Sequence, residues 1–217
     1  LVSAKNKLTY IPPTFSGLFG LRILSLEEND LELLPWPAFA YFLECQDLSL
    51  ARNKLKKVPG ELEKMTSLTK LHLHGNLLTS LPSGLVWHDS HTPAGWPVFE
   101  GGLGVLTNLR ELTVNDNLMK RLPIDLGLVT SLAAMPLEGN PDLTSPPPEI
   151  VVRGHRIIME YLRRMCQGVF EGQLNLARLG LMKMPEDMLM MTHISRLNLI
   201  ENRIDEVDEG IGRFTNL

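Results

Sequence analysis

The sequence predicts an α/β repeat solenoid, and three observations predict it. The stretch LTKLHLHGNLLTSLP at 68–82 places leucine at 68, 71, 73, 78 and 81 with Asn76 among them, and a shift of 23 residues either way brings much of the chain onto the same pattern. An asparagine column recurs at Asn6, Asn29, Asn53, Asn76, Asn117, Asn140 and Asn202, with Leu179 standing where an eighth is due. Each unit then runs to an apolar residue followed by proline: Ile11-Pro12, Leu34-Pro35, Val58-Pro59, Leu81-Pro82, Leu122-Pro123 and Met184-Pro185.

Each part of the unit has a physical reason. Core pairs such as Leu71 and Leu73 alternate with polar neighbours at period two, which marks a short strand with one buried face. The proline lacks a backbone donor and fixes φ, so it ends the extended segment and turns the chain into a return leg. The asparagine amide, both donor and acceptor, can satisfy backbone groups that the sharp bend would otherwise bury unpaired. A single coil has nothing to pack against. Stacked coils hide one another's leucines, at roughly 1.5–3 kcal/mol for each such side chain, with the strands pairing in parallel along one side. Leu71, Leu112 and Leu197 are accordingly expected on adjoining rungs of a common sheet.

The unit LxxLxLxxNxLxxLPxx, repeated about eight times over 1–217, resembles the leucine-rich repeat family, and specifically the 23-residue class of plant Ras-group and Scribble- or Erbin-type repeat proteins. The resemblance implies a right-handed horseshoe with a parallel concave sheet, an intracellular setting, and a protein partner held on the concave face, with a small GTPase or a signalling enzyme as the partner class. It covers the chain as one domain, incomplete at both ends, apart from two insertions. It implies no cofactor.

The insertions follow from the asparagine spacings, which are 41 between Asn76 and Asn117 and 39 between Asn140 and Leu179, where 23 is the norm. The first, 87–104, is rich in Gly, Pro and Trp and reads as an irregular loop. It is either a flap presenting Trp87, Trp96 and Phe99 to a partner or a tolerated surface addition. The second, 144–168, opens with three prolines and continues as an amphipathic helix over 147–166, with Ile150, Ile157, Ile158, Tyr161, Leu162 and Met165 at helical spacing and Arg153, Arg156, Arg163 and Arg164 among or opposite them. It is expected to replace one return leg. The coil at 132–143 carries Pro136 inside its strand and is expected to be the most loosely paired. At Leu179 the bend is expected to be closed by water or by backbone alone.

Composition narrows the function classes. A net charge of −4 over 217 residues gives no reason to expect nucleic acid, and no apolar run approaches the length of a bilayer crossing. Cys45 and Cys166 lie too far apart in the repeat pattern to suggest a bridge and read as core thiols, in keeping with a reducing compartment. His72 and His74, with His88 and His91 in the first insertion, place too few fixed ligands for a metal site. Gly101, Gly102 and Gly104 lack the lysine of a phosphate loop, and no nucleophile, base and orienting group share a scaffold, so no catalytic residue is assigned. The expected partner-binding residues lie on the outward strand positions: Arg52, Lys70, His72, His74, Glu111, Thr113, Asn115, Asp116, Asn175, Arg196 and Asn198. Two roles compete. One is a non-catalytic interaction scaffold in signalling; the other is the recognition arm of a larger kinase, GTPase or ubiquitin ligase.

Overall fold

Alternation makes each coil begin as a three-residue strand, since successive side chains point to opposite faces and only one face has a core to enter. The computed structural model describes residues 1–86, 98–99 and 101–217. Its strands are β1 (Ile23–Ser25), β2 (Asp47–Ser49), β3 (Lys70–His72), β4 (Leu85–Val86), β5 (Val98–Phe99), β6 (Glu111–Thr113), β7 (Gln173–Asn175) and β8 (Arg196–Asn198). Its α-helices are α1 (Trp36–Phe39), α2 (Pro148–Val151), α3 (His155–Glu171) and α4 (Glu186–Leu189).

Strands β1, β2, β3 and β6 pair in parallel and in register, so Leu24, Leu48, Leu71 and Leu112 form one inward file, each fully buried. On the far side the chain returns through single turns of 3-10 helix (Pro13–Gly17, Gly60–Lys64, Leu103–Val105, Ile124–Leu128, Glu209–Arg213) or through α1 and α4. Pro12, Pro35, Pro59, Pro123 and Pro185 stand immediately before these turns, four of them in extended backbone. Leucines of strand and return leg meet between the two layers in one continuous core. This is the leucine-rich repeat architecture expected from the sequence.

The sheet is not continuous, however. Leu71 and Leu112 are paired neighbours, but Leu197 pairs with Leu174 in a separate two-stranded sheet, β7–β8. Beyond β6 the first sheet continues only as a single bridge, Glu111 to Ala134. Two local causes act there. Pro136 occupies the position at which Ser25 donates its N–H to Leu1 C=O at 3.0 Å, and proline has no N–H to give. The next segment is then α2 and α3, and the strand after them, β7, pairs with β8 rather than with this coil.

That helical segment differs from the expected single helix over 147–166. It is broken by Gly154, whose φ of +83° no helix accommodates, and α3 runs on to Glu171 before Gly172, at φ +64°, caps it. Val169 extends the apolar stripe by one more turn, which the reading to 166 missed; Ile158, Tyr161, Leu162, Met165 and Val169 are all buried. The helix does take the place of a return leg. It lies so close to the 3-10 turn Ile124–Leu128 that a Cβ on Gly127 would sit 2.5 Å from the backbone of Leu162 and Arg163.

The first insertion is narrower than its sequence limits. β4 and β5 pair antiparallel at its base, and Gly102, Leu103 and Gly104 belong to the packed return leg, with Leu103 fully buried. Asp125 Oδ2 accepts from Gly84 N–H at 3.3 Å and Gly104 N–H at 3.1 Å, and its Oδ1 from Ser83 Oγ at 3.1 Å, which ties the two ends of the insertion together. Trp87, His88, His91 and Trp96 lie outside the described residues, and so does the proposed flap; Phe99 falls on β5. Among the described residues no helix is long and apolar enough to cross a membrane.

Candidate functional site

The outward face of β1, β2, β3 and β6 is built from the asparagine column upward. Each column amide reaches across to the coil before it. Asn76 Oδ1 accepts from Leu55 N–H at 3.1 Å, while its Nδ2 donates to Leu50 O at 3.0 Å and Leu73 O at 2.9 Å. Asn29, Asn53, Asn117, Asn140 and Asn202 repeat the pattern, accepting in turn from Leu8, Leu31, Leu78, Met119 and Leu181. The Asn6 side-chain amide, at the exposed first coil, donates to Ala4 O at 3.0 Å and does not reach another turn. The other amides tie neighbouring turns together, which holds the strands that precede them at a regular spacing.

A second column escaped the sequence reading. The residue before each asparagine position adopts left-handed backbone: Lys5, Glu28, Arg52, Gly75, Asp116, Gly139, Arg178 and Glu201 have φ between +52° and +73°. The glycines at 75 and 139 were its one visible signal. Long polar side chains at the other positions then stand side by side on neighbouring turns, and Arg52 pairs with Glu28 at 3.1 Å and Arg178 with Glu201 at 2.8 Å.

The structure gathers His72, His74, Glu111 and Thr113 with Asp47, which the sequence reading left out of the site. His72 lies between two carboxylates, its Nε2 3.8 Å from Asp47 Oδ1 and its Nδ1 3.9 Å from Glu111 Oε1. Thr113 Oγ1 is 3.0 Å from His74 Nδ1 and 3.4 Å from His72 Nδ1. Lys70 is exposed beside them on β3, and Asn115 donates to Asp116 at 2.7 Å on the following turn. Arg52 is on the same surface but engaged laterally with Glu28. Asn175, Arg196 and Asn198 are elsewhere, on the separate β7–β8 sheet. There Asn175 and Asn198 each fold the side-chain oxygen back onto a backbone N–H two residues on, Ala177 at 3.1 Å and Ile200 at 3.0 Å. The eleven expected residues therefore occupy two surfaces.

At Leu179 side chains take part in closing the bend, so it is not closed by backbone alone. Asn202 Oδ1 accepts from Leu179 N–H at 3.1 Å, and the Arg153 guanidinium donates to Leu179 O. Nothing in the one-dimensional pattern reports that arginine, which comes from the helical segment.

The arrangement offers recognition chemistry. Burial pushes the Cys45 thiol up to about 11 and the Cys166 thiol up to about 12, so neither is a nucleophile near neutral pH. Both are free and buried. Among the described residues no group of three or more His, Cys, Asp or Glu is placed to hold a metal ion. What remains is a fixed sheet with polar side chains presented in rows.

Comparison with known proteins agrees with this geometry. The leucine-rich repeat family model matches residues 19–78. The chain is 29% identical over 159 residues to leucine-rich repeat serine/threonine-protein kinase 1 of Mus musculus, covering 67% of this chain and 8% of that protein. It is 28% identical over 151 residues to the probable serine/threonine-protein kinase pats1 of Dictyostelium discoideum, covering 63% and 5%. The chain thus spans less than a tenth of the length of these curated relatives. Among solved structures, a leucine-rich repeat protein of Leptospira interrogans superposes with a TM-score of 0.54 at 22% identity, over 98% of this chain and 45% of that one. The functional domain of InlJ from Listeria monocytogenes does so with a TM-score of 0.53 at 18% identity, over 100% and 37%. These two likenesses speak for the fold alone. Repeat unit, asparagine column, parallel strands and the family match over 19–78 converge, and the chain has the leucine-rich repeat fold.

Proposed function

We propose that this chain is a non-catalytic interaction module that binds another protein on the outward face of β2, β3 and β6. The observation that carries this reading is the fixed cluster His72, His74, Glu111, Thr113 and Asp47 with Lys70 beside it, a patch of mixed charge on a scaffold that needs no ordering when a partner arrives. Asn115, Asp116 and Arg52 extend the patch along the turns. The buried free thiols suit an intracellular, reducing setting, and the partner class we favour is a small GTPase or a signalling enzyme. Residues 1–217 form one repeat domain in this reading, with the insertions as local additions.

Pull-down with the wild type and with the Lys70→Glu, Glu111→Lys double variant tests it. The variant is expected to lose partners the wild type recovers; equal recovery of every partner removes the face from consideration. A second reading is favoured by the relatives, which are named as kinases and of which this chain covers 8% and 5%. The module would then be the recognition arm of a larger enzyme. The sequence of the complete open reading frame decides between the two.

A further inference from the structure

The coil at 132–143 is where stacking stops, and its outer edge carries donors with nowhere to go. In regular coils two backbone N–H groups just beyond the strand donate to the next turn. Leu26 and Glu28 reach Ser49 O and Ala51 O at 2.8 and 3.0 Å, and Leu50 and Arg52 reach His72 O and His74 O at 2.9 and 2.7 Å. Leu73 and Gly75 reach Thr113 O and Asn115 O at 2.8 and 3.1 Å, and Leu176 and Arg178 reach Asn198 O and Ile200 O at 2.8 and 3.0 Å. The equivalent groups here are the N–H of Leu137 and Gly139, and neither has an acceptor among the described residues. Leu137 and Gly139 line an open cleft, where an added strand can reach them.

The acceptors they would have met are already taken. Arg164 Nη1 donates to Ala177 O at 2.8 Å and lies 3.5 Å from Asn175 O, Arg153 donates to Leu179 O, and Glu149 accepts from Met182 N–H at 2.8 Å. Three side chains of the helical segment thus close the second array and hold β7 away from the first. Between the free edge and α2–α3 lies a cleft of about 640 Å³, walled by Met135, Leu143, Val151, Val152 and Ile158.

We propose that this edge is a strand-addition site for an extended segment of a partner protein. The segment runs parallel to 133–139 and lays two carbonyl oxygens, on residues separated by one, onto Leu137 N–H and Gly139 N–H. In the regular stack the residue between such acceptors points inward: Leu50, between Ser49 and Ala51, is fully buried. The incoming segment therefore reads polar, large aliphatic, small or polar, with the aliphatic side chain filling the cleft. Main-chain bonds supply the anchoring and the one pocket supplies the selectivity. This surface is distinct from the patch around His72.

The test uses the whole chain and a synthetic peptide of residues 46–54, QDLSLARNK, which fills this role next to β1. With millimolar peptide, amide exchange at Leu137 and Gly139 is expected to slow about tenfold, equivalent to about 1.4 kcal/mol, with Leu50 and Leu73 unchanged. A peptide with aspartate in place of the central leucine is expected to have no effect. Val152→Glu, at a position 82% exposed on the cleft wall, is expected to abolish the slowing while leaving the thermal melt and the effect of Lys70→Glu, Glu111→Lys on partner recovery as they were. No slowing at these two amides, or slowing that survives Val152→Glu, overturns the proposal. Protection that rises with protein concentration in the absence of peptide would assign the edge to a second copy of the chain and overturn it too.

Discussion

Asn76 shows how much a single side chain carries in this architecture. Its amide meets one donor and two buried acceptors on two different turns; the Asn76→Ala variant leaves Leu55 N–H unpaired, while Leu50 O and Leu73 O keep the Asn53 and Asn117 amides. At about 1–3 kcal/mol for the one buried donor stripped of its partner, we expect a loss of about 2 kcal/mol in urea unfolding. Asn6→Ala, at an exposed site with one bond, is expected to cost less than about 0.5 kcal/mol. At Gly75, φ of +66° penalises any Cβ, and the added atom would stand 3.1 Å from Arg52 Cγ, so Gly75→Ala is expected to cost about 1–2 kcal/mol by the same measurement. Cys45 and Cys166 are expected to resist alkylation at pH 8 in the native protein and to react only once it is unfolded; fast native labelling would contradict their burial and raised pKa. The asparagine column was legible because amide chemistry is written in residue identity. The left-handed column was not, because backbone angle shows in sequence only where it demands glycine, and six of its eight members are not glycine.

The two inserted segments are held by chemistry that their own sequences do not display. Helical spacing gave α3 its buried stripe, but spacing says nothing of where an arginine tip ends, and so the closing of β7 by Arg164 was invisible. Arg164→Met keeps the stem and removes the donors; it is expected to cost about 1–2 kcal/mol, with faster exchange at Leu174 and Leu176 and no change at Leu48. Asp125 sits beneath the first insertion, fully buried, and burial raises its carboxyl above the usual range in spite of bonds from Gly104, Gly84 and Ser83. A carboxyl whose folded pKa is raised ionises more readily in the unfolded chain, so its contribution to stability is greatest in acid and falls as pH rises through the folded value. The cost of Asp125→Asn in urea unfolding should therefore be larger at pH 4 than at pH 7; a cost that grows with pH would contradict the assignment. The extent of the first insertion was misjudged because Gly102, Leu103 and Gly104 look like loop in composition, whereas Leu103 is core.

Across the molecule, the repeat pattern predicted a stack, and the stack is there, but as two arrays joined through a helix. The arrays are clasped at one more place. Arg121 spans to Glu186 at 2.7 Å and Asp187 at 3.0 Å, and Ser145 donates to Asp187. A period of 23 residues cannot report this, since the second array keeps the period and loses only the neighbour. The split divides the expected binding residues as well, leaving the cluster around His72 on one sheet and Asn175, Arg196 and Asn198 on the other. Residue-resolved amide exchange of the native chain tests this picture most directly. Strong and shared protection is expected at Leu48, Leu71 and Leu112, with a marked fall at 133–139 relative to 70–75 and recovery at Leu174 and Leu176. Equal protection through 133–139, or independent fraying of β1, β2, β3 and β6, would contradict it.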